Sequence, residues 1–336
     1  MAARYDFASD NVAGAMPEAL EALVEWNEGY AGGYGADGVT AKAADLVRAL
    51  FDADAEVRFV ASGTAANSLT LATLAQPHEA VLAHQHSHVA TDETGAPGFF
   101  GSGLGLTLLS GASGRIDPDE LADVLGQPEV SYRQSAAALS LTNATEFGAV
   151  YSDNAFGALA SQAKAAGLKV HLDGARLANA AAAGFPVNRL APLGVDIAVA
   201  GGTKAGSTPS EAIVLLDKSF ARRFDARMKH AGQLVSKARY LAAPWIGMLE
   251  SGAWAKRAGH ANRMAAKLAG LSPFPLAHPV EANAVFVTMD GAALTALRRR
   301  GWLAYRFLDG AVRFMCSWAT TDEAVEELAE ALRQVA

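Results

Sequence analysis

Val199-Ala200-Gly201-Gly202-Thr203-Lys204-Ala205-Gly206 is the stretch that decides the fold class. The apolar run from Asp196 to Ala200 predicts a short buried strand, and the glycines after it let the backbone turn sharply or approach a ligand closely. Burial of a lysine favours its neutral, nucleophilic form, which Schiff-base chemistry requires. Lys204 could equally be a surface lysine in a polar loop, so the rest of the chain has to decide its role.

Length and composition bound the class of protein. The chain has 336 residues, 51% of them hydrophobic and 19% charged, with 32 glycines, which is typical of a well-packed α/β protein. The net charge of −7 argues against a broad nucleic-acid-binding surface. The single cysteine, Cys316, excludes an intramolecular disulfide and suits a reducing compartment. Without a signal-peptide pattern or a run of about 18 apolar residues, we expect a cytoplasmic protein with no membrane partner.

The order of predicted elements favours one architecture. Strands and helices alternate through about residue 216, which indicates a mostly parallel sheet covered by helices, with ligands bound beyond the carboxyl ends of the strands. Ala242-Ala243-Pro244-Trp245 marks a boundary. We therefore expect a large domain over residues 1–245 and a smaller C-terminal α+β domain over residues 246–336.

A turn after the predicted strand 57–61 is the first candidate ligand site. Ser62, Gly63, Thr64 and Asn67 follow this strand and begin an apolar helix. Backbone N–H groups and hydroxyls at a helix N-terminus can bind an anion, although many such residues only cap the helix. The turn is not the phosphate loop of nucleotide hydrolases, because no Gly-Lys-Ser/Thr ends it.

Three histidines, His84, His86 and His88, come next. If the chain is extended from Val81 to His88, all three point to one face, as in a zinc site. Two other interpretations stay open: a loop that has only accumulated histidines, or one histidine that stacks on a flat cofactor.

Charged residues also follow or interrupt two later strands. Asp173 and Arg176 come directly after the predicted strand 169–172, either as a cap and a solvated arginine or as ligand-binding groups. Arg313 stands in an apolar strand. A buried guanidinium needs an anionic partner, which could be a structural carboxylate or the carboxylate of a substrate.

Together these residues match the requirements of pyridoxal phosphate. The turn at 62–67 offers N–H groups and hydroxyls to its phosphate, and Asp173 offers an acid to its pyridine nitrogen. Lys204 offers an amine to its aldehyde, and His88 offers a flat ring to its open face. No metal is needed for this set.

On these residues the chain resembles the low-specificity L-threonine aldolases of the fold-type I pyridoxal-phosphate superfamily. The most specific match is His171-Leu172-Asp173-Gly174-Ala175-Arg176, and Gly202 to Gly206 is similar to the Schiff-base segment. Further matching motifs are Ser9-Asp10-Asn11, Tyr34-Gly35, Ser62-Gly63-Thr64 with Asn67, and His88 with Glu93.

The resemblance implies a fold-type I enzyme that cleaves L-β-hydroxy-α-amino acids, of the threonine, allo-threonine or phenylserine type, to glycine and an aldehyde. It implies catalytic roles for Lys204, Asp173 and His88, with His88 as the nearest base for the β-hydroxyl. It also implies a homo-oligomer, a tetramer or at least a dimer, with shared active sites. The implied cofactor-binding residues are Ser62, Gly63, Thr64, His88, Asp173, Arg176, Lys204 and Lys237, and the implied substrate-binding residues are Ser9, Tyr34, Arg176 and Arg313.

Two departures from the family bear on specificity and on the phosphate site. Many members place a histidine near the substrate hydroxyl where this chain has Thr145, in Asn143-Ala144-Thr145-Glu146. The chain is similar here to the branch that acts on bulkier substrates such as phenylserine. Many members also carry an arginine that reaches a neighbour's phosphate, and Lys237 is the candidate to replace it. The alternative functions are another pyridoxal-phosphate lyase, a serine hydroxymethyltransferase-like enzyme, a metal hydrolase built on the histidines, or an inactive cofactor-binding protein.

Overall fold

The computed structural model of the protein describes residues 3–128 and 130–336. Over that part of the chain, ten strands form two sheets. The strands are β1 Glu56–Val60, β2 Glu79–His84, β3 Gly105–Leu109, β4 Ser135–Thr142, β5 Lys169–Gly174, β6 Ile197–Gly201, β7 Glu211–Leu215, β8 Ala284–Val287, β9 Tyr305–Arg306 and β10 Val312–Met315.

Thirteen α-helices accompany these strands within the same described residues. The helices are α1 Pro17–Glu25, α2 Gly38–Phe51, α3 Gly63–Leu74, α4 His88–Thr91, α5 Ala96–Phe100, α6 Pro118–Leu125, α7 Asp153–Ala165, α8 Leu177–Ala182, α9 Ala221–His230, α10 Arg239–Glu250, α11 Ala253–Leu271, α12 Gly291–Arg299 and α13 Asp322–Arg333. Of the helices so described, none combines the length and the apolar character needed to cross a membrane.

The larger sheet has seven strands in the order β1-β7-β6-β5-β4-β2-β3. Neighbouring strands from β3 to β6 pair in parallel, whereas β7 runs antiparallel to both of its neighbours, β6 and β1. All strands except β7 therefore point the same way, and their carboxyl ends meet at one edge, where such sheets bind ligands. This confirms the predicted fold class, a mostly parallel sheet covered by helices.

Strand β6 illustrates how both faces of this sheet are covered. All five of its residues are buried. Ile197 and Val199 pack into the hydrophobic cluster that includes α3, whereas Ala198 and Ala200 pack into the cluster on the other face, which includes α2 and α10. Successive side chains of a strand point to opposite faces, so a strand covered on both sides has to be apolar at every position.

Strand β2 ends at His84, so the expectation of an extended chain from Val81 to His88 is wrong. A turn follows the strand at once, because the N–H of His86 donates to His84 Nδ1 at 3.1 Å. His88 then begins α4, and the three histidines do not share a face. Within residues 3–128 and 130–336, no three His, Cys, Asp or Glu side chains are grouped in a way that could hold a metal ion.

The smaller sheet is antiparallel, in the order β8-β10-β9. Its buried side chains, among them Val285 and Phe314, form a hydrophobic cluster of their own together with Leu328 of α13 and with Phe7. The boundary predicted after residue 245 falls inside the continuous helix α10, where Trp245 is buried. The division into residues 1–245 and 246–336 stays a prediction.

Candidate active site

A cleft lies at the edge of the large sheet where the parallel strands end. The segments after β1, β2, β5 and β6 all contribute to it, as the order of the strands requires. The lining residues include Asn11, Ser62, Gly63, Thr64, Asn67, His88, Asp173, Thr203, Lys204 and Glu211. The structure therefore brings six of the predicted site residues together, although they are far apart in the sequence.

The N-terminus of α3 forms one end of the cleft. Ser62 is the N-cap of this helix, and its hydroxyl accepts a hydrogen bond from the N–H of Ala65 at 3.3 Å. Gly63 and Thr64, the first two residues of the helix, line the cleft. Unpaired N–H groups in a first helical turn carry partial positive charge and attract anions, so this end of the cleft can bind a phosphate.

Asp173 lies at the centre of the cleft, near the end of β5, and its side chain is buried. One carboxylate oxygen accepts from the N–H of Ala175 at 3.0 Å, and the other accepts from the side-chain amide of Asn67 at 3.0 Å. Both donors are neutral, so they orient the carboxylate without balancing its charge. A cationic group of a bound molecule can supply that balance.

His88 is held by a buried acid. Its Nδ1 lies 2.8 Å from Oε1 of Glu93, which also accepts from Asn67 at 2.8 Å. The hydrogen bond with Glu93 raises the pKa of His88, while burial raises the pKa of Glu93 against the opposite effect of its hydrogen bonds. Both shifts mean that the pair holds a proton tightly. The amide of Asn67 donates to both Glu93 and Asp173, so it connects the His88–Glu93 pair to the Asp173 carboxylate.

Lys204 follows β6 and is partly buried in the cleft. The glycines before it are required by close packing, because a Cβ on Gly201 would lie 2.1 Å from the carbonyl of Ala175 and one on Gly202 would lie 2.4 Å from the carbonyl of Ser210. The N–H of Gly202 donates to Glu211 at 2.8 Å. The backbone that carries Lys204 is thus fixed by contacts on both sides.

Arg176 is buried beside the cleft and makes a bidentate ion pair. Its Nε donates to Asp10 at 2.7 Å and its Nη2 donates to Asp10 at 3.1 Å. Burial opposes the charge of each group, but the pairing dominates, so the pKa of Asp10 falls to about 2 and the pKa of Arg176 lies above its ordinary value. Asn283 also donates to Asp10, at 3.1 Å. Arg176 is therefore a permanent cation, and its third nitrogen, Nη1, donates no hydrogen bond to any residue that the structure describes.

Arg313 is a second buried guanidinium, and it differs from Arg176 in its partners. It lies 4.6 Å from the ring of Phe307 and donates to the hydroxyl of Tyr305. No carboxylate of the described chain lies within ion-pair distance of it, and its Nε has no hydrogen-bond partner there. Burial, with the nearby charge of Arg176, lowers the pKa of Arg313. Such a cation is suited to binding an anionic ligand.

Besides the two arginines, three predicted site residues do not line the cleft of the single chain. Ser9 caps a short turn, while its neighbours Asp10 and Asn11 reach Arg176 and the cleft. Tyr34 is 55% exposed, and its N–H donates to the carbonyl of Ser236 at 3.0 Å. Lys237, the next residue after Ser236, is exposed as well. The segments of Tyr34 and Lys237 therefore meet at one patch of the surface.

Sequence reasoning singled out Thr145 but assigned no role to the buried polar residues Asn143, Glu146 and Glu211. Thr145 is fully committed to the backbone, because its hydroxyl donates to the carbonyl of Ser113 at 2.8 Å and accepts from the N–H of Ala149 at 3.1 Å. Asn143 follows β4, and its side-chain nitrogen is buried without a partner in the described residues. Glu211 and Glu146 are also buried. The sequence does mark both acids: Glu211 begins the apolar strand β7, and Glu146 comes two residues after Ala144.

The chain is similar to known proteins of the family that its sequence motifs indicate. The family model of the β-eliminating lyases matches residues 6–292. The low-specificity L-threonine aldolase of Pseudomonas aeruginosa is 45% identical, over 98% of this chain and 97% of its own length. A low-specificity L-threonine aldolase of a Pseudomonas species is 43% identical over the same shares. The solved threonine aldolase structure of Leishmania major has a TM-score of 0.91 and 28% identity, covering 98% of both chains.

Proposed function

Because the chain belongs to the β-eliminating lyase family, we propose that its cleft is the active site of a pyridoxal-phosphate-dependent aldolase. The enzyme cleaves L-β-hydroxy-α-amino acids, of the threonine, allo-threonine or phenylserine type, to glycine and an aldehyde. Its similarity to the two Pseudomonas L-threonine aldolases extends over nearly the whole chain and supports this assignment. The resemblance indicated by the sequence motifs is thereby confirmed.

The residues of the cleft fit the cofactor. The N-terminus of α3, with Ser62, Gly63 and Thr64, would hold its phosphate, and Asp173 would pair with its pyridine nitrogen. Asn143, which follows β4, has a buried side-chain nitrogen without a partner among the described residues. When bound, pyridoxal phosphate attaches to an amine and supplies an electron sink for the bond that breaks at Cα. Lys204 is the amine of this chain that would carry it.

The protein's own groups would orient the substrate. Arg176 Nη1 and Arg313 would bind the α-carboxylate, since both guanidinium groups are buried and still have donors to offer. Fixing the carboxylate restricts rotation about Cα, so that the Cα–Cβ bond can be held in a reactive orientation. Burial of both arginines excludes water and strengthens the contact. His88 would offer a flat ring to the open face of the cofactor.

The observation that carries the proposal is the meeting of Lys204, Asp173 and the N-terminus of α3 in one cleft. The test is to incubate the purified holoenzyme with L-threonine, L-allo-threonine and L-phenylserine and to quantify the products. We expect glycine and the matching aldehyde in equal amounts. Ammonia and a 2-oxo acid without glycine would instead identify a different pyridoxal-phosphate lyase. Glycine formation from L-serine that depends on an added one-carbon acceptor would identify a hydroxymethyltransferase-like enzyme.

We also propose that the enzyme is a homo-oligomer, a tetramer or at least a dimer, in which Tyr34 and Lys237 reach a neighbour's cleft. Support comes from their shared, exposed position on the surface, where Lys229 Nζ lies 4.7 Å from the Tyr34 ring. We propose a division into two domains, residues 1–245 and 246–336, because the smaller sheet has a hydrophobic cluster of its own. We also propose a cytoplasmic location, because the single cysteine suits a reducing compartment.

A further inference from the structure

Two acids approach Arg176, and they differ in how well they are satisfied. Asp10 accepts two hydrogen bonds from Arg176 and one from Asn283. Glu146 lies on the other side of the guanidinium, with Oε2 at 3.7 Å from Nη1, which is too far for a hydrogen bond. No donor in residues 3–128 and 130–336 forms a hydrogen bond to the Glu146 carboxylate.

The position of Glu146 makes this unusual. The residue is 7% exposed, so its carboxylate is largely removed from water without receiving a hydrogen bond in return. Such a group is costly to bury unless a donor arrives when a ligand binds. Its negative charge favours the charged forms of Arg176, Arg313 and His88, so it lies near all three groups.

The backbone holds Glu146 in place. Thr145 and Ala149 close a tight turn, in which the N–H of Thr145 donates to the carbonyl of Ala149 at 2.9 Å and the N–H of Gly148 donates to the carbonyl of Thr145 at 2.9 Å. Because the Thr145 hydroxyl is bound to Ser113 and Ala149, it cannot serve the substrate. The acidic side chain of the next residue points towards Arg176 instead.

Distances within the substrate bring its hydroxyl to this acid. The α-carboxylate and the β-hydroxyl of one amino acid are joined through two carbon–carbon bonds and one carbon–oxygen bond, so their oxygen atoms lie within about 4 Å of each other. A carboxylate bound at Arg176 Nη1 therefore leaves the β-hydroxyl within reach of Glu146. His88 Nε2 is the competing acceptor, because Glu93 occupies only Nδ1 of that ring.

We propose that Glu146 is the catalytic base that binds the β-hydroxyl of the substrate and accepts its proton; this rests on the proposed function. The O–H bond breaks and the proton passes to Glu146, while the electrons of that bond form the C=O bond of the aldehyde. The Cα–Cβ bond breaks and its electron pair goes to Cα. Cα then takes a proton from solvent through the amine of Lys204, and Glu146 gives its proton to water, which completes glycine and restores the carboxylate.

The test compares two reactions of the same holoenzyme. Cleavage of L-threonine needs a base at the β-hydroxyl, whereas exchange of the α-proton of glycine in heavy water uses the cofactor, Lys204 and the arginines but involves no hydroxyl. We expect Glu146→Gln to lower kcat for L-threonine about 100-fold or more, as general-base catalysis predicts. Glycine exchange, the dissociation constant of glycine and the visible absorbance of the bound cofactor should change less than about threefold.

Two further variants keep the test decisive. Thr145→Ser retains the hydroxyl that closes the turn, and we expect it to cleave L-threonine within about twofold of the wild type. Glu146→Asp retains a carboxylate and should cleave at least about tenfold faster than Glu146→Gln. Equal rates for the Asp and Gln variants would contradict the proposal, even if both bind the cofactor weakly.

Other outcomes separate this proposal from the assignment of the enzyme. If the wild type and Glu146→Gln release glycine and aldehyde at similar rates, Glu146 is not the base. If Glu146→Gln then also binds glycine more tightly than the wild type, the effect of Glu146 is limited to the charge of Arg176. If cleavage and glycine exchange fall together, Glu146 supports the whole site, and the proposal is wrong. If the wild type exchanges glycine but cleaves no β-hydroxy amino acid, the proposed function fails first.

Discussion

Asp10 and Arg176, which are 166 residues apart, form a buried bidentate ion pair with nitrogen–oxygen distances of 2.7 and 3.1 Å. The pair ties the N-terminal segment to the residue that follows β5, and it occupies Nε and Nη2 of Arg176. It therefore links the stability of the fold to the orientation of the group that would bind the α-carboxylate.

Asp10→Asn should destabilise the protein because it leaves the Arg176 charge buried without its partner. We expect a loss of about 3 kcal/mol in the free energy of unfolding near neutral pH. Since the folded-state pKa of Asp10 is lowered to about 2, its stabilisation is complete above the unfolded pKa of about 4 and disappears as the pH falls towards 2. Thermal melts of the wild type and variant should therefore differ at pH 7, approach each other below about pH 4 and converge only near pH 2. A difference that stays constant over this range would contradict the account.

Glu93→Gln should lower the pKa of His88, because the Glu93 hydrogen bond is the largest cause that raises it. Histidine-labelled protein followed by NMR over a pH series would show the His88 midpoint at a lower pH in this variant. Asp309→Asn is the matched control, since it alters a carboxylate that lies 2.8 Å from a different histidine ring, at His278 Nε2, and it should leave the His88 midpoint in place. A His88 midpoint that stays in place in Glu93→Gln, or moves equally in the control, would show that Glu93 does not hold the proton on the ring.

Shared active sites predict complementation between inactive variants. In a symmetric dimer, a hybrid of Lys204→Ala and Tyr34→Ala chains contains one intact site and one doubly altered site. Random mixing should recover about a quarter of the wild-type activity, because half of the dimers are hybrids and each has one working site. Tyr132→Ala, which alters an exposed tyrosine far along the chain, is the control and should be active by itself. No recovery, or a fully active monomer by sedimentation, would contradict shared sites.

The preference for bulky substrates is the fourth prediction. Thr145 is bound to the backbone and cannot position the β-hydroxyl, so the fit of the side chain carries more of the discrimination. Burial of a phenyl group instead of a methyl group contributes a few kcal/mol at about 25 cal/mol per Å², and even part of it gives about a ten- to hundredfold preference. We expect kcat/KM for L-phenylserine to exceed that for L-threonine and L-allo-threonine by this factor. Equal or higher values for threonine would contradict the interpretation of Thr145.

Several of these residues could be predicted from the sequence, and others could not. Lys204, Asp173 and the turn at Ser62 were found because each follows an apolar run that had to be a buried strand, and parallel strands end at one edge. The ion pair of Asp10 with Arg176 could not be predicted, because it depends on which distant segments of the chain meet. The same holds for the lack of a hydrogen bond to Glu146, since local sequence patterns do not indicate long-range contacts.

One expectation from the sequence is wrong, and the roles assigned to Ser9, Tyr34 and Lys237 stay predictions. The extended chain through His88 was expected from alternating histidines, but the His84 side chain closes a turn with its own neighbour at His86. Ser9 was chosen from its motif, whereas the buried acid beside it makes the long-range contact. The positions of Tyr34 and Lys237 on the surface of one chain cannot be interpreted without the partner that the oligomer would supply.

The central claim is that Lys204 carries pyridoxal phosphate and enables the cleavage, and one paired measurement tests it most directly. The visible absorbance and the release of glycine from L-threonine are recorded for the wild type, for Lys204→Ala and for Lys218→Ala, which alters an exposed lysine paired with Asp54. The account predicts that the wild type and Lys218→Ala are yellow and active and that Lys204→Ala loses both the visible band and the release of glycine. A yellow and fully active Lys204→Ala protein would contradict it.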